Sequence, residues 1–220
     1  MTARPARGGG RRRSSATSRR RDQEVVATAA RIFHERGYAE ASVQDIADAL
    51  GMLKGSLYYY IDTKEDLLFR VVEAVHDEVD KVLKDVSARV DLPPLERLRL
   101  YIGQLVLYNT ANMVWMSVYY HEIDRLSEAR RRQILDRRRE HEEFVTALIE
   151  AAQAAGEADA SADARLLRNF VFGSIIWIYR WYLPGGRVRR EMLADRCAEF
   201  AIRGVVGNTT PVLDGQPTVC

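Results

Sequence analysis

Apolar residues return every third or fourth position along most of the chain, the spacing of one buried helical face, and no stretch alternates as a half-buried strand does. Val25, Val26, Ala29, Ile32 and Phe33 predict a first helix over about 22–36, closed by Gly37. Ser42 opens a second: its hydroxyl can accept from free amides, and Asp45 three residues on forms a variant capping box. Val43, Ile46, Ala47 and Leu50 are its inner face, and Gly51 allows a tight turn. A third helix is expected over about 53–60, with Leu53, Leu57 and Ile61 pointing inward together. Thr63 and Asp66 start a fourth, whose stripe Leu67, Val71, Val75, Val79, Val82 and Val86 runs nearly to Arg89, a rod of roughly 39 Å.

Asp91 to Pro94 breaks the pattern, and Leu95, Leu98, Ile102, Leu105 and Val106 resume it. Asn109 to Asn112 reads as a bend, and Met113 to Ile123 as an aromatic-rich helix. A long charged helix is expected over about 128–155, ending at Gly156; the most apolar segment spans 161–182; a last helix covers about 188–206. The fold class is therefore all-α, with about nine helices and no internal repeat. The expected domains are a disordered basic arm (1–20), a unit of three short helices (21–66), a larger helical body (67–207) and a disordered tail (208–220).

Charge sharpens this picture. Residues 1–21 hold eight arginines and no acid, so the rest of the chain carries −6 against a total of +2. A basic arm on a mildly acidic body suits a polyanion at one end, although a solvated tail has the same composition. The N-terminal arginines lack a following apolar run, so a secretory signal is not expected. Nothing approaches the apolar length of a membrane span. Only Cys197 and Cys220 occur, which favours a reducing cytoplasm over a disulfide framework.

The chemistry concentrates in SVQDIADALGMLKGSLYYYIDTK, residues 42–64. A major groove about 12 Å wide admits a helix, and the second helix of a helix-turn-helix enters it by its N-terminal residues. Lys54 is placed to donate to guanine, Gly55 to let backbone approach, and Ser56 to reach a base or phosphate. Tyr58, Tyr59 and Tyr60 offer hydroxyls to phosphates; Ser42 and Gln44 lie at a helix N-terminus that favours anions; Lys64 can clamp the backbone. The same spacing also fits a three-helix knot whose tyrosines only pack.

The run SVQDIADALGMLKGSLYYYIDTKEDLL, preceded by AARIFHERGY, resembles the N-terminal domain of TetR-type transcriptional repressors over about residues 22–70. The resemblance implies a homodimer joined by the last two helices of each subunit and bound to a palindromic double-stranded DNA operator. Met52-Leu53 departs from the hydroxyl-bearing pair usual before Lys54, so a capping hydroxyl for the third helix is missing. Tyr60 and Ile61 stand where His and Phe are usual.

The body is rich in aromatics, and ligand pockets are mostly apolar with a few placed polar groups. Gln104, Tyr108, Trp115, Tyr119, Glu122, Phe144, Trp177 and Arg180 are the candidate effector contacts; the same aromatics also serve as ordinary core. The arginines between 125 and 139 form either a solvated face or a holder of phosphates at a pocket mouth. YYHEIDRLSEARRRQILDRRREH and YRWYLPGG resemble segments of TetR-type repressors that respond to acyl-CoA thioesters in actinobacterial lipid and sterol breakdown, which implies a small hydrophobic effector of that kind. Another hydrophobic ligand, for instance that of an efflux or other catabolic operon, is the alternative. The expected mechanism is a wedge: ligand swings the fourth helix and takes the two readers off the spacing of about 34–36 Å between successive major grooves. No cofactor, metal or catalytic residue is expected. His121 and Glu122 do not share a helical face, HExxH spacing is absent, and His34, His76 and His141 read as surface. An enzyme therefore lacks its groups, and a purely oligomerising scaffold would protect no palindrome.

Overall fold

The computed structural model describes residues 10–207. Among them every regular element is helical: ten α-helical segments and one 3-10 turn. The expected count of about nine differs because Trp177 divides one apolar segment into α8 (Ala164–Ile176) and α9 (Ile178–Trp181). The chain forms two compact units.

The first unit comprises residues up to 78 together with 112–137. It holds α1 (Gly10–Arg36), α2 (Val43–Ala49), α3 (Lys54–Leu57), the first part of α4 (Lys64–Ser87), α6 (Met113–Glu122), the 3-10 turn (Ile123–Arg125) and the start of α7 (Glu128–Ala154). One expectation is corrected here. Of the arm 1–20 expected to be disordered, residues 10–20 are the first turns of α1, while residues 1–9 and the tail 208–220 lie outside the described residues. No proline or glycine follows Gly10 until Gly37, and arginine and alanine are good helix formers. Gly37 stops α1 with φ of 78°, a left-handed conformation that favours glycine. Val25, Ala29 and Phe33 of α1 are buried with Ile46, Leu57 and Leu67 in this unit's core. Residues 112–137 join it because α6 packs along α1.

The second unit comprises 79–111 and the residues from 138 onward. Here α5 (Pro94–Ala111) and α10 (Arg190–Val206) make the most extensive helix pair. Leu98, Ile102 and Val106 of α5 are buried, as are Ala194, Ala198 and Ala201 of α10, whose small side chains allow close approach. Arg97 anchors the start of α5 by donating to the Val86 and Ser87 carbonyls, the free end of α4. Asp163 caps α8 through the Leu166 amide at 2.9 Å. No helix among the described residues is long and apolar enough to cross a membrane.

Candidate DNA-reading face and effector unit

Local chemistry sets the helix start and the turn that lead into the candidate reading face. Ser42 caps α2, its hydroxyl accepting from the Asp45 amide at 3.1 Å while the Asp45 carboxylate accepts from the Ser42 amide at 2.8 Å. Hydrogen bonds from Ser42 hold the Asp45 carboxyl below its ordinary pKa, with Arg36 assisting. Gly51, with φ of 62°, turns the chain, and the Met52 amide closes the turn on the Ala47 carbonyl at 2.9 Å. Only four residues, Lys54 to Leu57, are then α-helical, shorter than the expected third helix. It also starts without a cap: Leu53 is extended and no side chain accepts from the first amides, while Tyr58 to Tyr60 continue as turn.

Leu53 is also a correction. It was expected to point inward with Leu57 and Ile61, yet it is 79% exposed. As the cap residue it lies outside the helix, so its Cβ leaves the buried stripe. Leu57 and Ile61 are buried as expected.

Lys54, Gly55, Tyr58 and Tyr59 are all exposed, Tyr59 at 91%. A Cβ built on Gly55 meets nothing within 4 Å, so nothing inside the protein requires glycine there. Ser56 and Tyr60 are half-buried; Ser42 and Gln44 are exposed, Gln44 donating to Asp48. Lys64 is less free than expected: its ammonium donates to the Ala39 carbonyl at 3.2 Å and lies 4.3 Å over the Tyr38 ring, and burial holds its pKa below the usual lysine value. Arg70 fixes the exit of the turn by donating to the Tyr60 carbonyl and pairing with Asp22 at 2.5 Å.

A second set of ties was not anticipated. Glu122, a candidate effector contact, instead accepts from the Tyr38 amide at 3.0 Å. Tyr119, another candidate, holds its hydroxyl 3.1 Å from His76 Nε2. Arg130 pairs with Asp66 and Glu65 at the start of α4, and Glu65 accepts from the Ser127 amide at 2.9 Å. Trp115 belongs to this same unit and is half-buried.

The remaining effector candidates lie in the second unit. Phe144 packs edge-on against Tyr101 with ring centroids 5.3 Å apart, under the Arg97 guanidinium. Gln104 lines an open groove of about 600 Å³ between α5 and α10, and Tyr108 is half-buried. Trp177 is 59% exposed, with Arg180 over its ring. Both are exposed beside the break between α8 and α9. His141, read as surface, is buried, with Tyr101 Oη 2.5 Å from Nδ1 and Asp80 Oδ1 2.8 Å from Nε2. His76 is buried too. The signal was present: His141 stands four residues before Val145 and seven after Ile134 on the buried stripe of α7.

A capped helix, a glycine turn and a short helix that exposes Lys54 and Gly55 and is followed by two exposed tyrosines constitute a helix-turn-helix DNA-binding unit. A family profile described as "Bacterial regulatory proteins, tetR family" matches residues 25–71, and one described as "Tetracyclin repressor-like, C-terminal domain" matches 91–205. The chain belongs to the TetR family of transcriptional regulators and is not an enzyme. It is 27% identical to the HTH-type transcriptional repressor KstR2 of Rhodococcus jostii over 183 residues, covering 83% of this chain and 89% of that one. The structure of the ketosteroid transcriptional regulator KstR2 of Mycobacterium tuberculosis superposes with a TM-score of 0.79 at 25% identity, covering 86% of this chain and 96% of that one. AibR, solved in complex with isovaleryl coenzyme A and operator DNA, gives a TM-score of 0.75 at 30% identity over 82% of this chain and 97% of that one.

Proposed function

We propose that the protein is a cytoplasmic repressor that binds a palindromic operator as a homodimer and leaves it when an acyl-CoA thioester binds the helical body. The observation that carries the DNA half is the exposure of Lys54, Gly55, Tyr58 and Tyr59 on and just after a short helix that buried Leu57 anchors. In this reading residues 21–66 read the half-site, with Lys54 and Gly55 at bases and Ser42, Gln44, Ser56, Tyr58, Tyr59 and Tyr60 on phosphates. Lys64 is the weakest member of that set, since its ammonium already serves Ala39. Residues 67–207 sense and dimerise.

The effector class is supported by the likeness to AibR with its isovaleryl coenzyme A and to KstR2. Gln104, Tyr108 and Phe144 remain candidate contacts. An effector shifts the operator equilibrium only by its preference for the released state. The deciding experiment measures thermal stability and operator release with isovaleryl-CoA, longer acyl-CoA esters, the matching free acids and planar drugs. Stabilisation and release by CoA esters alone are expected; no response to any CoA ester would remove this effector class.

The arginine-rich N-terminus adds a salt-dependent contact. Deleting residues 1–18 removes five arginines. The slope of log K against log salt is expected to flatten by as much as about 4.5 per subunit, or about 9 for the homodimer. The readout is operator affinity from low to physiological salt. An unchanged slope means that the arm does not meet phosphates.

A further inference from the structure

We infer that Leu53 is a specificity-determining residue that reads the C5-methyl group of a thymine in each operator half-site. The inference rests on α3 entering the major groove, as proposed above. Leu53 is the residue immediately before Lys54 and Gly55, at the end of the recognition helix that meets base edges first. Its backbone is fixed: the carbonyl accepts from the Ser56 amide at 2.9 Å and from Leu57 at 3.3 Å. Its side chain is nevertheless 79% exposed, so it contributes almost nothing to the core.

A single exposed leucine is ordinary on a protein surface. This one occupies a position where a hydroxyl side chain would cap α3, and no side chain caps it. The sequence thus forgoes a local stabiliser and sets an apolar group among Lys54, Gly55 and Tyr59, a surface otherwise suited to polar contacts. On the major-groove edge of B-DNA the thymine methyl is the one bulky apolar group; the other bases are distinguished there by their donors and acceptors. A leucine presented at the groove therefore selects thymine at one position per half-site by removing its methyl and its own methyls from water.

The test starts from a duplex selected out of random sequence by the full-length wild-type protein. Each thymine of the half-site is replaced in turn by deoxyuridine, which deletes the methyl and preserves every hydrogen bond. At one symmetric pair of positions the wild type is expected to weaken by about four-fold per half-site, one buried carbon's worth. Leu53→Ala is expected to bind the thymine duplex more weakly, with an unchanged salt slope, and to be indifferent to deoxyuridine at that pair. Its exposed position predicts an unchanged melting temperature. Three results overturn the inference alone: no methyl-sensitive thymine, a selected half-site without thymine, or a Leu53→Ala protein as methyl-sensitive as the wild type. If the wild type selects no duplex, the DNA-reading proposal falls with it.

Discussion

Leu57→Ala is expected to abolish operator binding and to lower the melting temperature, although Leu57 touches no DNA in the proposed reading. A buried leucine cut to alanine costs about 2–5 kcal/mol, the upper part of that range where the site cannot collapse. Leu57 is fully buried and is the last residue of α3. A four-residue helix without a side-chain cap has no stability of its own, because nucleation of so short a helix is unfavourable. It exists only because Leu57 and Ile61 plug the core formed with Ile46, Phe33 and Leu67. Removing the plug frees the segment that presents Lys54 and Gly55, so the loss falls on the reading surface first. Fluorescence anisotropy with the selected operator and a thermal melt read the two effects. Leu57→Ala with wild-type operator affinity would mean that α3 is held by something other than its own apolar anchor.

The same residues explain what the chain reveals before it is folded. Capping and turn chemistry are short-range, so Ser42 with Asp45, Gly51, and Thr63 with Asp66 locate α2, the turn and the start of α4 from sequence alone; Asp66 accepts from the Thr63 amide at 2.6 Å as the pattern predicts. Long apolar stripes give α4, α5 and α10 for the same reason. The misreadings occur where one residue has two competing uses. Leu53 fits the buried spacing, yet as a cap residue it is outside the helix that defines the spacing. Glu122 is a candidate polar group for a ligand and also accepts from the Tyr38 amide, 84 positions away, a partner that no local pattern encodes. His141 was judged by its charged neighbours rather than by its helical face, and the face decided. Arg130 belonged to a run that reads as a solvated surface, and its partners Glu65 and Asp66 come from α4. Short-range signals therefore place the elements of the reading head, whereas the ties that hold α6 and α7 to it are long-range and invisible to periodicity.

The second large effect concerns assembly. Leu166 and Phe170 of α8, Trp177 at the break and Trp181 of α9 recur at spacings of four and seven and are all exposed, as is Phe200 on α10, at 70%. An exposed apolar row of this extent is a liability for a lone chain and marks an association surface. In the proposed dimer it is the surface shared by two copies, buried by a symmetric, self-complementary contact. The double variant Phe170→Glu with Phe200→Glu places four carboxylates in that contact, each to be desolvated without a partner. Light scattering is expected to give twice the 25.1 kDa chain mass for the wild type and the single-chain mass for the variant. Neither phenylalanine is part of the buried core, so helical content and the first unit should persist. Operator affinity nevertheless falls, because two half-site readers no longer act from one body; the loss of effective concentration is worth about 100-fold or more. Binding of each half-site becomes independent, and the protein occupies a single half-site as weakly as it occupies the palindrome. A double variant that stays dimeric and holds the palindrome as tightly as the wild type would place the dimer contact elsewhere, and would leave the exposed row on α8 and α9 in need of another partner.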